Sequence, residues 1–117
     1  YVNKSLSYKQ YINMIDKIFN GLKTPDFLKI DVEGFQNHVV KGGNIFFQNN
    51  SPLIMIEIDH DTDQSLEDFF IRIGYHFYRF HKNYITQVDS IFNNGRNILF
   101  CKPESKYFKR IESILYE

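Results

Sequence analysis

The chain has 117 residues, of which 43% are hydrophobic and 24% charged, a length and composition typical of one folded domain rather than of a disordered segment. Fourteen basic residues balance fourteen acidic ones, so no overall charge attracts the chain to nucleic acid or to an anionic membrane. Because no apolar stretch approaches the ~18 residues of a transmembrane helix, we predict a single domain over residues 1–117 with no membrane and no nucleic-acid partner.

The first predicted element is an amphipathic helix that begins at Ser7. Gln10 lies three residues after Ser7, which forms a capping box, and Asn20-Gly21 ends the pattern. The apolar residues between them recur at helical spacing and predict one buried stripe: Tyr8, Tyr11, Ile12, Ile15, Ile18 and Phe19.

A short strand is predicted next, over residues 27–32, with apolar residues at every second position. Lys29, Asp31 and Glu33 occupy the alternate positions, and Gly34 ends the run. The pattern after Gly34 predicts a helix that is broken at Gly42-Gly43 and resumes briefly over residues 45–47.

The second half of the chain predicts three more strands and two helices. Residues 53–56 are continuously apolar, as in a strand covered on both faces, and are followed by Glu57. A helix capped by Asp63 or Ser65 ends at Gly74, residues 75–80 form a strand, and a long polar loop covers residues 81–96. The last strand, residues 97–102, contains the single cysteine, Cys101, which we interpret as a small core residue of a cytoplasmic protein. A final helix is predicted from Ser105.

The element order α-β-α-β-α-β-β-α predicts an α/β fold with a mostly parallel sheet and helices on both faces. The last two strands have no helix between them, so we expect the final strand to be antiparallel.

Two predicted strands end at an acidic residue. If these strands are parallel neighbours, Asp31 and Glu57 lie at the same edge of the sheet, where functional groups of such folds collect. Lys29 precedes Asp31 by two residues and is expected to pair with both acids. Glu33, at the start of the following helix, is favoured there by the helix dipole.

Other interpretations of these residues stay open. A D-x-E pattern also occurs on solvated strand ends, and the run Glu57-Ile58-Asp59-His60-Asp61 has ligand types that suit a divalent cation in a hydrolase or phosphoryl-transfer enzyme. No ligand spacing supports that metal site, so we predict none. A non-catalytic interaction module is the third alternative.

Several segments, in order between residues 25 and 102, resemble the FkbM-type family of S-adenosylmethionine-dependent methyltransferases. They are Pro25–Gly34 with its core L-K-I-D-V-E-G, the helix ending at Lys41-Gly42, Pro52–Ile58, Ile73–Tyr75 and Asn97–Phe100. The resemblance implies a partial Rossmann-like class I methyltransferase sheet whose last strand is inserted antiparallel between the fifth and sixth. It also implies transfer of a methyl group from S-adenosylmethionine to a hydroxyl group of a small molecule or glycan.

On this resemblance Asp31 is the candidate base or orienter of the acceptor hydroxyl, Glu57 its partner, and Lys29 the residue that holds both. Glu33, His60 and His81 are candidate substrate contacts.

The sequence departs from the family pattern in its glycines. Gly42-Gly43 ends a helix, and no glycine-rich turn follows a first strand, so the cofactor-binding residues remain unknown. We therefore expect the chain to be the C-terminal half of a methyltransferase domain that lacks the glycine-rich cofactor-binding half. Such a chain is expected to bind S-adenosylmethionine weakly or not at all, and to dimerise through the exposed edge of the Asp31 strand.

Overall fold

The computed structural model of the protein describes residues 26–31 and 36–116, which form an α/β fold of five strands and four helices. The predicted helix from Ser7 and the candidate residue Glu33 lie outside the described residues. The strands are β1 (Phe27–Ile30), β2 (Leu53–Glu57), β3 (His76–Phe80), β4 (Ile85–Val88) and β5 (Asn97–Cys101). The helices are α1 (Gln36–Gly42), α2 (Asn44–Asn49), α3 (Gln64–Arg72) and α4 (Phe108–Glu112). None of these helices is long and apolar enough to cross a membrane.

The sheet has the strand order β1-β2-β5-β3-β4. β1 and β2 pair in parallel, whereas β2 with β5, β5 with β3 and β3 with β4 pair antiparallel. The predicted antiparallel final strand is confirmed, but the prediction of a mostly parallel sheet is not, since three of the four pairings are antiparallel. The reason is that β5 returns without a crossover helix and inserts between β2 and β3, two strands that point the same way.

One strand was missed within the predicted loop of residues 81–96. β4 follows β3 through a tight hairpin in which the N–H of His81 donates to the carbonyl of Tyr84 at 2.8 Å. The turn between them is Lys82-Asn83, which lacks the glycine that usually marks such hairpins in a sequence. The last helix is also shorter than predicted and begins at Phe108 rather than Ser105.

Helices α1 to α3 cover one face of the sheet, and their apolar side chains share one core with it. Phe70 of α3 lies at its centre, fully buried, with its ring edge-to-face against Phe47, Tyr75 and Phe100 at centroid distances of 5.5, 5.2 and 4.8 Å. Such contacts add about 0.5–1.5 kcal/mol per pair to the hydrophobic contribution. These four aromatic side chains therefore serve packing.

Helix α4 covers the other face with the buried Ile111, so the predicted two-sided arrangement is confirmed. Cys101 belongs to this second core and is fully buried, as predicted from its apolar neighbours. Burial raises the pKa of its thiol above the ordinary value, which favours the neutral, unreactive form.

Candidate functional site

β1 and β2 are parallel neighbours in the sheet. They are the two acid-tipped strands, since Asp31 directly follows β1 and Glu57 ends β2. The register ends with Ile30 beside Ile56, so Asp31 and Glu57 follow at the same end of the neighbouring strands. Strand neighbours are about 4.8 Å apart, and alternation along each strand directs both side chains to the same face. The predicted adjacency of Asp31 and Glu57 is thus present in the fold.

The two carboxylates lie in different surroundings. The Asp31 side chain is 43% exposed, and its Oδ2 is 3.9 Å from Nζ of Lys29, a side chain that is itself 55% exposed. The Glu57 side chain is only 9% exposed, and its Oε1 accepts a hydrogen bond from Nε of Arg96 at 2.5 Å. Lys29 therefore contacts Asp31 as expected. The ion pair of Glu57, which was predicted to form with Lys29, is instead formed with Arg96.

Arg96 reaches Glu57 because of the turn that precedes β5. Asn93 and Gly95 both have positive φ, 60° and 93°, which reverses the chain just before the strand. The carbonyl of Arg96 then accepts from the N–H of Ile58 at 2.6 Å, which extends the β2–β5 ladder by one residue. The dipeptide Asn94-Gly95 indicates a turn in the sequence, but nothing local identifies a partner 39 residues away.

In the loop after β2, Asp59 accepts hydrogen bonds from residues that follow it. Oδ1 of Asp59 accepts from the N–H of Asp61 at 2.9 Å and from the hydroxyl of Thr62 at 3.3 Å. His60 is 90% exposed, with its Nε2 3.5 Å from Asp61 Oδ2. Within residues 26–31 and 36–116, no group of three His, Cys, Asp or Glu side chains could hold a metal ion. The acids of this loop thus stabilise its own turn.

His81 follows the last residue of β3, whose direction matches that of β1 and β2. It therefore lies at the same end of the sheet as the acids, two strand spacings from β2. The registers put Arg79 level with Ile56, so alternation directs His81 to the face opposite that of Glu57. Its Nε2 is 2.9 Å from Oγ1 of Thr86, and its ring stacks on Tyr84 at 4.5 Å. The described contacts of His81 thus also stabilise the β3–β4 hairpin.

Glu67 has a buried carboxylate that was not predicted from the sequence, and it contacts the loop that leads to Arg96. Glu67 of α3 accepts a hydrogen bond from the buried N–H of Ile91 at 2.8 Å. Burial acts to raise the pKa of Glu67, but hydrogen bonds from Ser90, the Ile91 N–H and Gln64 outweigh it, so the pKa lies below its ordinary value. Glu67 thereby ties the loop that leads to Arg96 onto helix α3. Its position inside a helical stripe between Leu66 and Phe70 was the available signal for burial.

The adjacent glycines Gly42 and Gly43 do not form the glycine-rich turn that usually approaches a nucleoside cofactor. Gly42 is the last residue of α1 and Gly43 directly precedes α2, so neither follows a strand. Surface clefts of about 250, 570 and 300 Å³ lie in the described part, and the linings of these three do not include Asp31 or Glu57.

Comparison with known proteins gives one match. The sequence model described as the methyltransferase FkbM domain matches residues 12–77, more than half of the chain, including β1, β2 and the helices between and after them. No curated protein and no solved structure matches the chain.

Proposed function

Because the chain belongs to the FkbM methyltransferase family, we propose that its acid-tipped edge is the acceptor side of an O-methyltransferase that uses S-adenosylmethionine. The acceptor is a hydroxyl group of a small molecule or glycan. The observation that carries this proposal is the register of β1 and β2, in which Asp31 and Glu57 directly follow the paired residues Ile30 and Ile56 at the ends of parallel strands.

Asp31 is proposed as the base or orienter of the acceptor hydroxyl. Methyl transfer to oxygen is an in-line displacement, so the protein must direct the hydroxyl oxygen at the methyl group and accept the hydroxyl proton. S-adenosylmethionine supplies the methyl group on a sulfonium centre. The Asp31 carboxylate is the more exposed of the two acids and can reach an acceptor, and Lys29 at 3.9 Å restrains it.

Glu57 is proposed to border the acceptor as a fixed hydrogen-bond acceptor, because its carboxylate is nearly buried and held by Arg96. Glu33, His60 and His81 are proposed as further substrate contacts. His60 is the most exposed of those described, and His81 lies at the same end of the sheet as Glu57.

The test uses the 117-residue chain, isotope-labelled S-adenosylmethionine at millimolar concentration, and a panel of alcohols, monosaccharides and glycosides. The millimolar donor concentration compensates for the weak donor binding expected of this chain, so we expect labelled methyl ether. We expect Asp31→Asn to reduce the turnover by about 10²-fold or more, as for loss of a general base. Asp68→Asn is the matched control because Asp68 is an exposed aspartate of α3 and does not belong to the strands that carry the acids.

Calorimetry with the donor separates the two possible causes of lost turnover. Donor binding by Asp31→Asn should equal that of the unsubstituted chain, since Asp31 is assigned to the acceptor. Turnover of Asp31→Asn equal to that of Asp68→Asn would exclude the role of Asp31, and absence of transfer to every acceptor by the unsubstituted chain would exclude the proposed function.

A further inference from the structure

The ion pair between Glu57 and Arg96 joins a nearly buried acid to an arginine whose side chain is 76% exposed. From this geometry we infer that Arg96 is a positioning residue, which acts on methyl transfer through Glu57. The inference rests on the proposed function and adds to it a residue for which the family resemblance gave no role.

The first argument is the burial of Glu57. The Glu57 side chain is 9% exposed, so its carboxylate loses most of its hydration and needs protein groups as hydrogen-bond partners in place of water. The Arg96 Nε–H at 2.5 Å supplies such a group, and a hydrogen bond between two charged groups is stronger and more directional than one between neutral groups. Arg96 therefore sets the direction in which the Glu57 carboxylate points.

The second argument is the neighbouring charge. Asp31 follows β1 on the strand next to Glu57, and alternation places the two carboxylates on the same face. Two carboxylates at that spacing repel each other, and Lys29 contacts only the Asp31 side of the pair in the described structure. Arg96 compensates the Glu57 charge, so that Asp31 keeps its position toward an acceptor.

The third argument is that the backbone around Arg96 is fixed from both sides. The carbonyl of Arg96 accepts a hydrogen bond from the N–H of Ile58, the residue after Glu57. Gly95, the residue before Arg96, has a φ of 93°. Five residues earlier, Glu67 holds Ile91 onto helix α3. Such restraint delivers the guanidinium to one place, which an exposed arginine on a free loop would not reach reproducibly.

The test is a double-mutant cycle with Glu57→Gln, Arg96→Gln and the double variant in the 117-residue chain. Methyl transfer is measured at saturating donor and acceptor, and thermal unfolding is measured in parallel. If Arg96 acts through Glu57, each single variant lowers kcat about tenfold, the KM for S-adenosylmethionine is unchanged, and the double variant loses no more than the worse single variant. Arg79→Gln is the matched control, because Arg79 is an exposed arginine on the adjacent strand β3.

The outcomes separate the inference from the function on which it rests. A kcat of Arg96→Gln equal to that of Arg79→Gln, or losses that multiply in the double variant, would overturn the role of Arg96 alone. Unfolding of Arg96→Gln at the assay temperature would show that the Glu57–Arg96 pair serves the stability of the fold, and it would also overturn the inference. Absence of methyl transfer by the unsubstituted chain would overturn the proposed function and the inference together.

Discussion

Glu67→Ala is the substitution whose effect on stability the structure defines most closely. Glu67 is buried on α3 and accepts hydrogen bonds from the Ile91 N–H at 2.8 Å and from Ser90. Alanine leaves the buried Ile91 N–H without an acceptor, which costs about 1–3 kcal/mol. It also removes one buried methylene group, Cγ, at up to about 0.8 kcal/mol. We therefore expect the free energy of unfolding to fall by about 1–4 kcal/mol.

Urea unfolding followed by circular dichroism measures this loss. The matched control is Asp68→Ala, which removes the next carboxylate on the same helix from an exposed position and should change the stability by less than about 0.5 kcal/mol. A loss for Glu67→Ala no greater than that of the control would show that Glu67 does not hold the loop of residues 90–91.

The pH dependence of Glu67→Gln has a defined sign. The folded-state pKa of Glu67 lies below its ordinary value of 4.5, so the folded state favours the ionised form. The contribution of the charge to stability is fully present above pH 4.5 and is lost as the pH falls through the lowered folded-state pKa. The stability difference between the unsubstituted chain and Glu67→Gln should therefore shrink toward low pH. A difference that grows on acidification would contradict the assignment.

Two further predictions concern the core and the turn before β5. Phe70→Ala removes the ring at the centre of the aromatic core and should cost about 3–5 kcal/mol in urea unfolding, against about 0.5 kcal/mol for the exposed neighbour Ile71→Ala. Equal losses for the two variants would show that the ring is not packed as described. Gly95→Ala places a Cβ at a φ of 93°, with no heavy atom within 4 Å of it, so backbone strain alone should lower the stability by about 1–2 kcal/mol. A variant as stable as the unsubstituted chain, measured by differential scanning calorimetry, would mean that this turn has another conformation.

The elements that the sequence predicted correctly are those with a strong local pattern. The apolar run at residues 53–56, the helical stripe from Leu66 to Phe70 and the apolar run around Cys101 all lie where expected. β4 was missed because its pattern is short and its turn, Lys82-Asn83, carries no glycine. The predicted parallel character of the sheet failed because alternation of helices and strands specifies which way a strand runs, not which strand becomes its neighbour.

The candidate site likewise combines features that have a local sequence pattern with contacts that have none. By itself, the sequence determined that Asp31 and Glu57 end two strands, because the position of a strand end depends on residues next to it in the chain. Only the tertiary structure decided that Glu57 pairs with Arg96 instead of Lys29, and that Glu67 binds the loop that leads there. These contacts join residues 39 and 24 positions apart, and such partners are selected by strand register and burial, which no local pattern encodes.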